Sequence, residues 1–176
     1  RNYRMEGAWV EHSRPNMAYR LTVGGSLGTF MPKKARKLGI PEGPLWSRLK
    51  AGESVKFEDG RFVEPGDVLG EPIPGKVIVY SGDTRPSESL AKFAKGADIL
   101  IHEATLSDAL AAAAERDGHS TAGGVAKMAA EAGVGRLILT HISARYKDPG
   151  VLLAEAKRFF PGAEIAQDLA SYELKI

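Results

Sequence analysis

The chain has 176 residues, with 24 Lys and Arg against 22 Asp and Glu, a formal charge of +2, and 43% apolar and 26% charged residues. This is ordinary globular composition, suited to one domain or a large part of a bigger one, and it excludes disorder as the main state. The sequence has no Cys, which excludes disulfide scaffolds and thiolate zinc sites, so any metal must be held by His, Asp or Glu.

Taken in chain order, Gly7 to Val23 predicts two strands, GAWVEH and MAYRLTV, joined by the turn Ser13-Arg14-Pro15-Asn16. Gly24-Gly25-Ser26-Leu27-Gly28 breaks the second strand. Residues 24–74 are rich in Gly, Pro and charge. They predict a short helix over Lys33 to Leu38 and a small hairpin over Ser54 to Val63, turning at Asp59-Gly60. Inserted segments of this length tend to be functional. Lys33, Lys34, Arg36, Lys37, Arg48 and Lys50 are opposed only by Glu42, and the stretch from Glu53 to Glu71 is mostly acidic. On charge alone the basic patch reads as a solvated surface.

From Lys76 onward, strands and helices alternate. KVIVYS, ADILIHEA and RLILTHI predict buried strands. Helices are predicted over Ser87 to Lys95 with Ser87 as cap, Leu106 to Arg116, Ala122 to Ala132 closed by Gly133, and Pro149 to Phe160. Two short strands follow, around Glu164-Ile165 and over Ser171 to Ile176. The alternation predicts an α/β layer with helices packed on a sheet. No apolar run approaches the roughly 20 residues of a membrane helix. No signal peptide is visible, so the expectation is a cytoplasmic protein with no membrane partner. The opening residue is Arg1 rather than Met, and the chain is read as a fragment or a processed product.

The four histidines, His12, His102, His119 and His141, all fall at junctions. Three end predicted strands, and His119 lies in the turn before a helix. Asp83 follows KVIVYS in the turn Ser81-Gly82-Asp83-Thr84. Ligands of open α/β sheets bind outside the carboxyl ends of strands, so these groups are candidates for one shared site. Singly, each has an ordinary structural explanation, as a hydrogen-bonded strand-end His or an Asx turn. Together, a His/Asp constellation without thiols suits zinc or another borderline divalent ion, and a carboxylate can bridge two ions for phosphate-ester hydrolysis. Glu103 and His119 could pair, a carboxylate orienting an imidazole as a general acid needs.

The segments YSGDTRP (80–86), ILIHEAT (99–105), GHST (118–121) and LILTHISARY (137–146) resemble the C-terminal half of the ribonuclease Z family, tRNA 3′-processing endonucleases of the metallo-β-lactamase fold. VEHSRPNMAYRL (10–21) and GIPEGPLW (39–46), followed by a hairpin with EDGR, extend the resemblance over essentially the whole chain. The resemblance implies an α/β fold, the metallo-β-lactamase αββα sandwich, of which residues 1–176 would be the C-terminal part of one domain. Residues 24–74 would be its inserted tRNA-binding arm. It implies metal ligation by His12, Asp83 and His141, with Asp83 bridging two Zn²⁺ per active site of the complete enzyme. His119 would be the catalytic acid and Glu103 its carboxylate partner, with His102 structural. Ser143 and Arg145 would bind substrate phosphate. Gly43, Pro44, Lys33, Lys34, Arg36 and Lys37, with Arg48 and Lys50 nearby, would meet pre-tRNA through the arm.

The implied function is zinc-dependent cleavage of the 3′ trailer from pre-tRNA after the discriminator nucleotide, by a cytoplasmic homodimer. The family's H-x-H-x-D-H motif, which supplies the other metal ligands, is absent here. Two protein ligands per ion remain, short of the three typical of catalytic zinc. The chain alone is therefore expected to be inactive, with one face of its sheet uncovered. The rival readings are a non-catalytic RNA-binding or assembly fragment and a small-substrate phosphodiesterase of the same fold.

Overall fold

The computed structural model describes residues 3–174. The chain divides into two compact units, one formed by residues 3–23 with 76–174 and the other by residues 24–75.

The first unit is built on a six-stranded sheet in the order β1-β2-β5-β6-β7-β8. β1 (Tyr3–Val10), β2 (Asn16–Val23) and β5 (Lys76–Tyr80) pair antiparallel, and β5, β6 (Ile99–Glu103), β7 (Leu137–Thr140) and β8 (Glu164–Ile165) pair parallel. Parallel strands need crossovers, and the helices α4 (Glu88–Ala94), α6 (Ala122–Glu131) and α7 (Gly150–Lys157) provide them. Ser87 caps α4 by accepting the Leu90 N–H, and Thr121 caps α6 by accepting the Gly124 N–H. α6 turns Ala122, Val125, Ala126, Met128 and Ala129 into one core with Ala18, Val79, Leu100, Leu137 and Leu139 of the sheet. Small side chains on α6 let it lie close to the sheet.

The register puts Tyr3, Met5 and Trp9 of β1, Tyr19 of β2 and Tyr80 of β5 on the opposite face. Tyr3 is 74% exposed and Trp9 70%, and Met5, Tyr19 and Tyr80 are exposed as well. The face expected to stay uncovered is open along β1, β2 and β5. It closes toward β6 and β7, where Ile99 and Ile138 are buried.

Several boundaries depart from expectation. β1 ends at Val10 rather than His12, because the Glu11 carbonyl accepts instead from the Arg85 N–H and the Thr84 hydroxyl. The helix expected from Leu106 starts later, as a 3-10 turn at Asp108–Leu110 followed by α5 (Ala111–Asp117). Leu106 is occupied by a parallel bridge to Thr121. α7 stops at Lys157, short of Phe160, since Pro161 disfavours helical geometry in the residue before it. No strand forms over residues 171–174, and Lys175 and Ile176 lie outside the described residues. The tail is held there by side chains: Tyr172 Oη accepts the Gln167 N–H at 3.2 Å, and the Arg136 guanidinium lies over its ring.

The second unit has a core of its own. Ala35, Ile40, Leu49, Val55, Val63 and Val68 are buried together, with Phe30, Leu45, Trp46 and Phe57 packed against them. α1 (Pro32–Lys37) and the hairpin β3 (Val55–Lys56) with β4 (Phe62–Val63) lie close to expectation. Two helices were not foreseen, α2 (Pro44–Lys50) and α3 (Pro65–Val68), each opened by Pro in its first turn.

Candidate functional site

β1, β5, β6 and β7 run in the same direction, so their carboxyl ends share one edge of the sheet. That edge gathers His12, Asp83, Glu103 and His141, and the turn between α5 and α6 adds His119. The His12 and His119 rings are 5.0 Å apart between centroids, and the His119 and His141 rings 5.4 Å. Glu103, His119 and His141 carry ligand atoms within 4.8 Å of one another, a group that could hold a metal ion. His12 and Asp83 lie outside that group, although Asp83 Oδ1 is 3.6 Å from His141 Nδ1.

Glu103 is the hub. Its side chain is 1% exposed, and both oxygens are saturated. Oε1 accepts from the Thr84 N–H at 3.0 Å and His119 Nδ1 at 2.8 Å. Oε2 accepts from the Thr105 N–H at 3.0 Å, the Thr105 hydroxyl at 2.7 Å and the Ser120 N–H at 3.2 Å. A buried carboxylate is tolerated only when so partnered. The arrangement aims His119, whose Nε2 is left for a reacting group.

His12 is fixed separately. Its Nδ1 lies 2.8 Å from the Gly118 carbonyl, which can only accept, so Nδ1 carries the proton. Gly118 is required there: its φ is +80°, and a Cβ would come within 2.7 Å of the Ser13 nitrogen and 3.1 Å of His12 Nδ1. Asp83 is placed by the tight turn at Gly82, where φ is +63° and a Cβ would meet Asn16 Nδ2 at 2.9 Å. Asn16 Nδ2 in turn donates to the Asp83 carbonyl. His141 follows β7 with φ +55°, a left-handed conformation uncommon outside Gly and concentrated at functional positions. Behind it, Tyr146 Oη accepts the Ser107 N–H at 2.9 Å, tying the THISARY turn to the end of β6. Ser143 Oγ accepts from Arg145 Nε at 3.1 Å, which places the two proposed phosphate contacts side by side at the surface.

His102 faces the core and is fully buried. Its Nδ1 donates to the Glu103 carbonyl at 2.7 Å, and its Nε2 has no partner among the described residues. Burial holds its pKa below the ordinary histidine value of 6.5. Below about pH 6.5 the unfolded chain therefore binds a proton that the folded chain does not. Stability is lost as pH falls through that range, by up to about 1.4 kcal/mol per pH unit for this one group. Urea unfolding between about pH 7 and 5 checks this: a His102→Leu variant is expected to lose less stability on acidification than the parent. Equal losses would place the acid sensitivity elsewhere.

In the second unit, Gly43 is the residue before α2, with φ +127° and ψ −138°, backbone that only Gly adopts readily, and Pro44 is the first helical residue. Arg36 is engaged by Glu42 and lies over the Trp46 ring, and Arg48 pairs with Glu53. Lys33, Lys34 and Lys37 are exposed and pair with no carboxylate among the described residues. Sequence reasoning singled out Glu103 but missed Thr84, Thr105 and Ser120, which hold it. Thr105 stands two residues past Glu103 in a quoted segment, so its spacing was in view.

Residues 47–142 match the family described as beta-lactamase superfamily domain. The chain is 46% identical to ribonuclease Z of Brevibacillus brevis over 172 residues, covering 94% of this chain and 54% of the relative. It is 42% identical to ribonuclease Z of Methanosarcina mazei, covering 99% of this chain and 57% of the relative. Against ribonuclease BN of Escherichia coli the figures are 40% identity, 94% and 55%. The chain thus spans about half the length of the curated relatives it matches. Among solved structures it resembles a metallo-beta-lactamase fold protein of Bacillus subtilis, with TM-score 0.60, 20% identity and 94% of this chain on 47% of that one. It also resembles human tRNase Z, short form, with TM-score 0.56, 22% identity and 99% of this chain on 44% of that one.

Proposed function

The chain belongs to the beta-lactamase superfamily, and we propose that it is the C-terminal part of a zinc-dependent endoribonuclease that removes the 3′ trailer from pre-tRNA after the discriminator nucleotide. The observation that carries this reading is the Glu103–His119 pair beside His12 and His141, at the strand-end edge of a chain 40–48% identical to ribonucleases Z and BN.

Imidazole nitrogens and a carboxylate are the donors that suit zinc when thiolates are absent. His12, Asp83 and His141 would hold it. Zinc bound there would supply charge neutralisation at the phosphoryl oxygens and a water activated near neutral pH. This chain's donors fall short of three per ion, so the complete site draws on further protein ligands. The residues of this chain do the rest. Glu103 orients His119, and the imidazole passes a proton from Nε2 to the departing 3′ oxygen. Arg145, beside Ser143, meets a phosphate oxygen, for which a guanidinium fork is well shaped. A second sheet would cover the open face of β1, β2 and β5 in the complete αββα sandwich.

The unit of residues 24–75 serves in this reading as the tRNA-binding arm. Lys33, Lys34 and Lys37 make sequence-independent phosphate contacts, since an enzyme that acts on all tRNAs reads shape more than bases. The reading carries with it a homodimeric enzyme in the cytoplasm. In the complete protein, deleting the arm is expected to abolish pre-tRNA cleavage and to spare hydrolysis of a small phosphodiester. Survival of tRNA cleavage would overturn the arm assignment. Absence of both activities in an intact, zinc-loaded protein would favour a non-catalytic RNA-binding role.

A further inference from the structure

We propose that Thr105 is a positioning residue that fixes the tautomer of His141 and joins it to the Glu103–His119 pair. The inference begins from the Glu103 carboxylate. Three of its contacts are backbone N–H groups, which can only donate, so the carboxylate is an acceptor at both oxygens. The Thr105 hydroxyl, 2.7 Å from Oε2, must therefore donate its single proton to Glu103. If it did not, two sets of lone pairs would face each other at hydrogen-bond distance in a buried site.

With that proton committed, the hydroxyl has only lone pairs to offer elsewhere. His141 Nδ1 lies 2.8 Å from the same oxygen and must carry a proton to bond it. His141 is thereby held as its Nδ1–H tautomer, with the Nε2 lone pair open. Nδ1 is committed as a donor, by separate means, at the two neighbouring rings as well. His12 donates its Nδ1–H to the Gly118 carbonyl at 2.8 Å, and His119 donates its Nδ1–H to Glu103 at 2.8 Å. Around its Nε2, His12 has only a long 3.5 Å contact to Ser13 Oγ among the described residues. Three imidazoles are thus committed through Nδ1 to oxygen acceptors, which is how outer partners select the nitrogen a ligand will meet.

Thr105 also makes one chain of hydrogen bonds, His141 to Thr105 to Glu103 to His119. Hydrogen bonds in such a chain polarise one another, so a change at His141 is felt at His119. The use of the open Nε2 as a ligand rests on the nuclease reading above, but the tautomer itself does not.

The test is long-range ¹H–¹⁵N correlation NMR of the complete protein, metal-free, at about pH 8, above the ordinary histidine range, where each neutral tautomer has a distinct pattern. His141 is expected as Nδ1–H in the parent. It should become a mixture, or Nε2–H, in Thr105→Val, which keeps the side-chain shape but removes the hydroxyl. Thr105→Ser should restore it. His12, held by Gly118, should remain Nδ1–H in all three proteins. A His141 that is Nε2–H in the parent, or that is unchanged in Thr105→Val, would overturn the proposal. Neither metal nor RNA enters the measurement, so its failure leaves the nuclease reading standing, and loss of the nuclease reading leaves the tautomer result in place.

Discussion

Replacing Glu103 by Ala is expected to destabilise the chain by roughly 3–5 kcal/mol, the range for removing one member of a buried, fully paired charged network. The Thr84, Thr105 and Ser120 N–H groups and the Thr105 hydroxyl would all lose their acceptor together. Each buried donor left unpaired costs about 1–3 kcal/mol, partly relieved by water entering the space vacated. Domains of this size are stable by only about 5–15 kcal/mol, so the loss is a large share of the whole. Glu103→Gln keeps one acceptor oxygen but turns an NH₂ toward donors, and roughly half the loss is expected. Urea unfolding of the three proteins decides the matter, with the midpoint falling and the slope unchanged. A loss under about 1 kcal/mol for Ala would mean that these strand ends are held by something other than Glu103.

The position of this hub was legible in the sequence to a definite depth. Alternating strands and helices put several carboxyl ends on one sheet edge, so His12, His102, Asp83 and His141 are candidates for convergence from sequence, and His102 is the one that turns into the core instead. His119 entered through the turn before a helix. The hydrogen bonds among them were not legible, because strand-end spacing fixes an edge and not a rotamer. Thr105 illustrates this: one residue position says nothing about which way a hydroxyl donates, and only the five donors around Glu103 settle it. His102 and Glu103 are adjacent in sequence and face opposite sides of β6, one into the core and one into the site, as the period of two in a strand demands.

The second unit was read less well for a different reason. α2 and α3 are seven and four residues long, too short to display a 3.6-residue period. Their start signal was present, since Pro stands in the first turn of both. Gly43-Pro44 was read through the resemblance as a substrate contact, and its local geometry is that of a helix start. The two roles are compatible, since a helix start can also present backbone to a ligand. The basic residues divide further than charge counting suggested. Arg36 and Arg48 are committed to Glu42 and Glu53, whereas Lys33, Lys34, Lys37 and Lys50 pair with no carboxylate among the described residues, and Lys50 lies over the Phe30 ring.

In the complete protein, His119→Ala is expected to lower kcat for pre-tRNA cleavage by about 10²–10⁴-fold, the usual span for a positioned general acid, with KM nearly unchanged. The reasoning runs from geometry. His119 Nδ1 is spent on Glu103, and its ring stands 5.0 Å and 5.4 Å from the rings of His12 and His141. Its proton is needed only as the P–O bond breaks, so the interaction belongs to the transition state and its loss appears in kcat. The imidazole is one-fifth exposed and makes no contact on which the fold depends as it depends on Glu103, so the variant should remain folded. Glu103→Gln should lower kcat in the same direction by misorienting His119. The double variant should then lose little beyond His119→Ala alone, because a carboxylate acting through an imidazole has nothing to act on once the ring is gone. Equal losses in kcat and tRNA affinity for His119→Ala would assign the ring to binding, and additive losses in the double variant would give Glu103 a separate catalytic part.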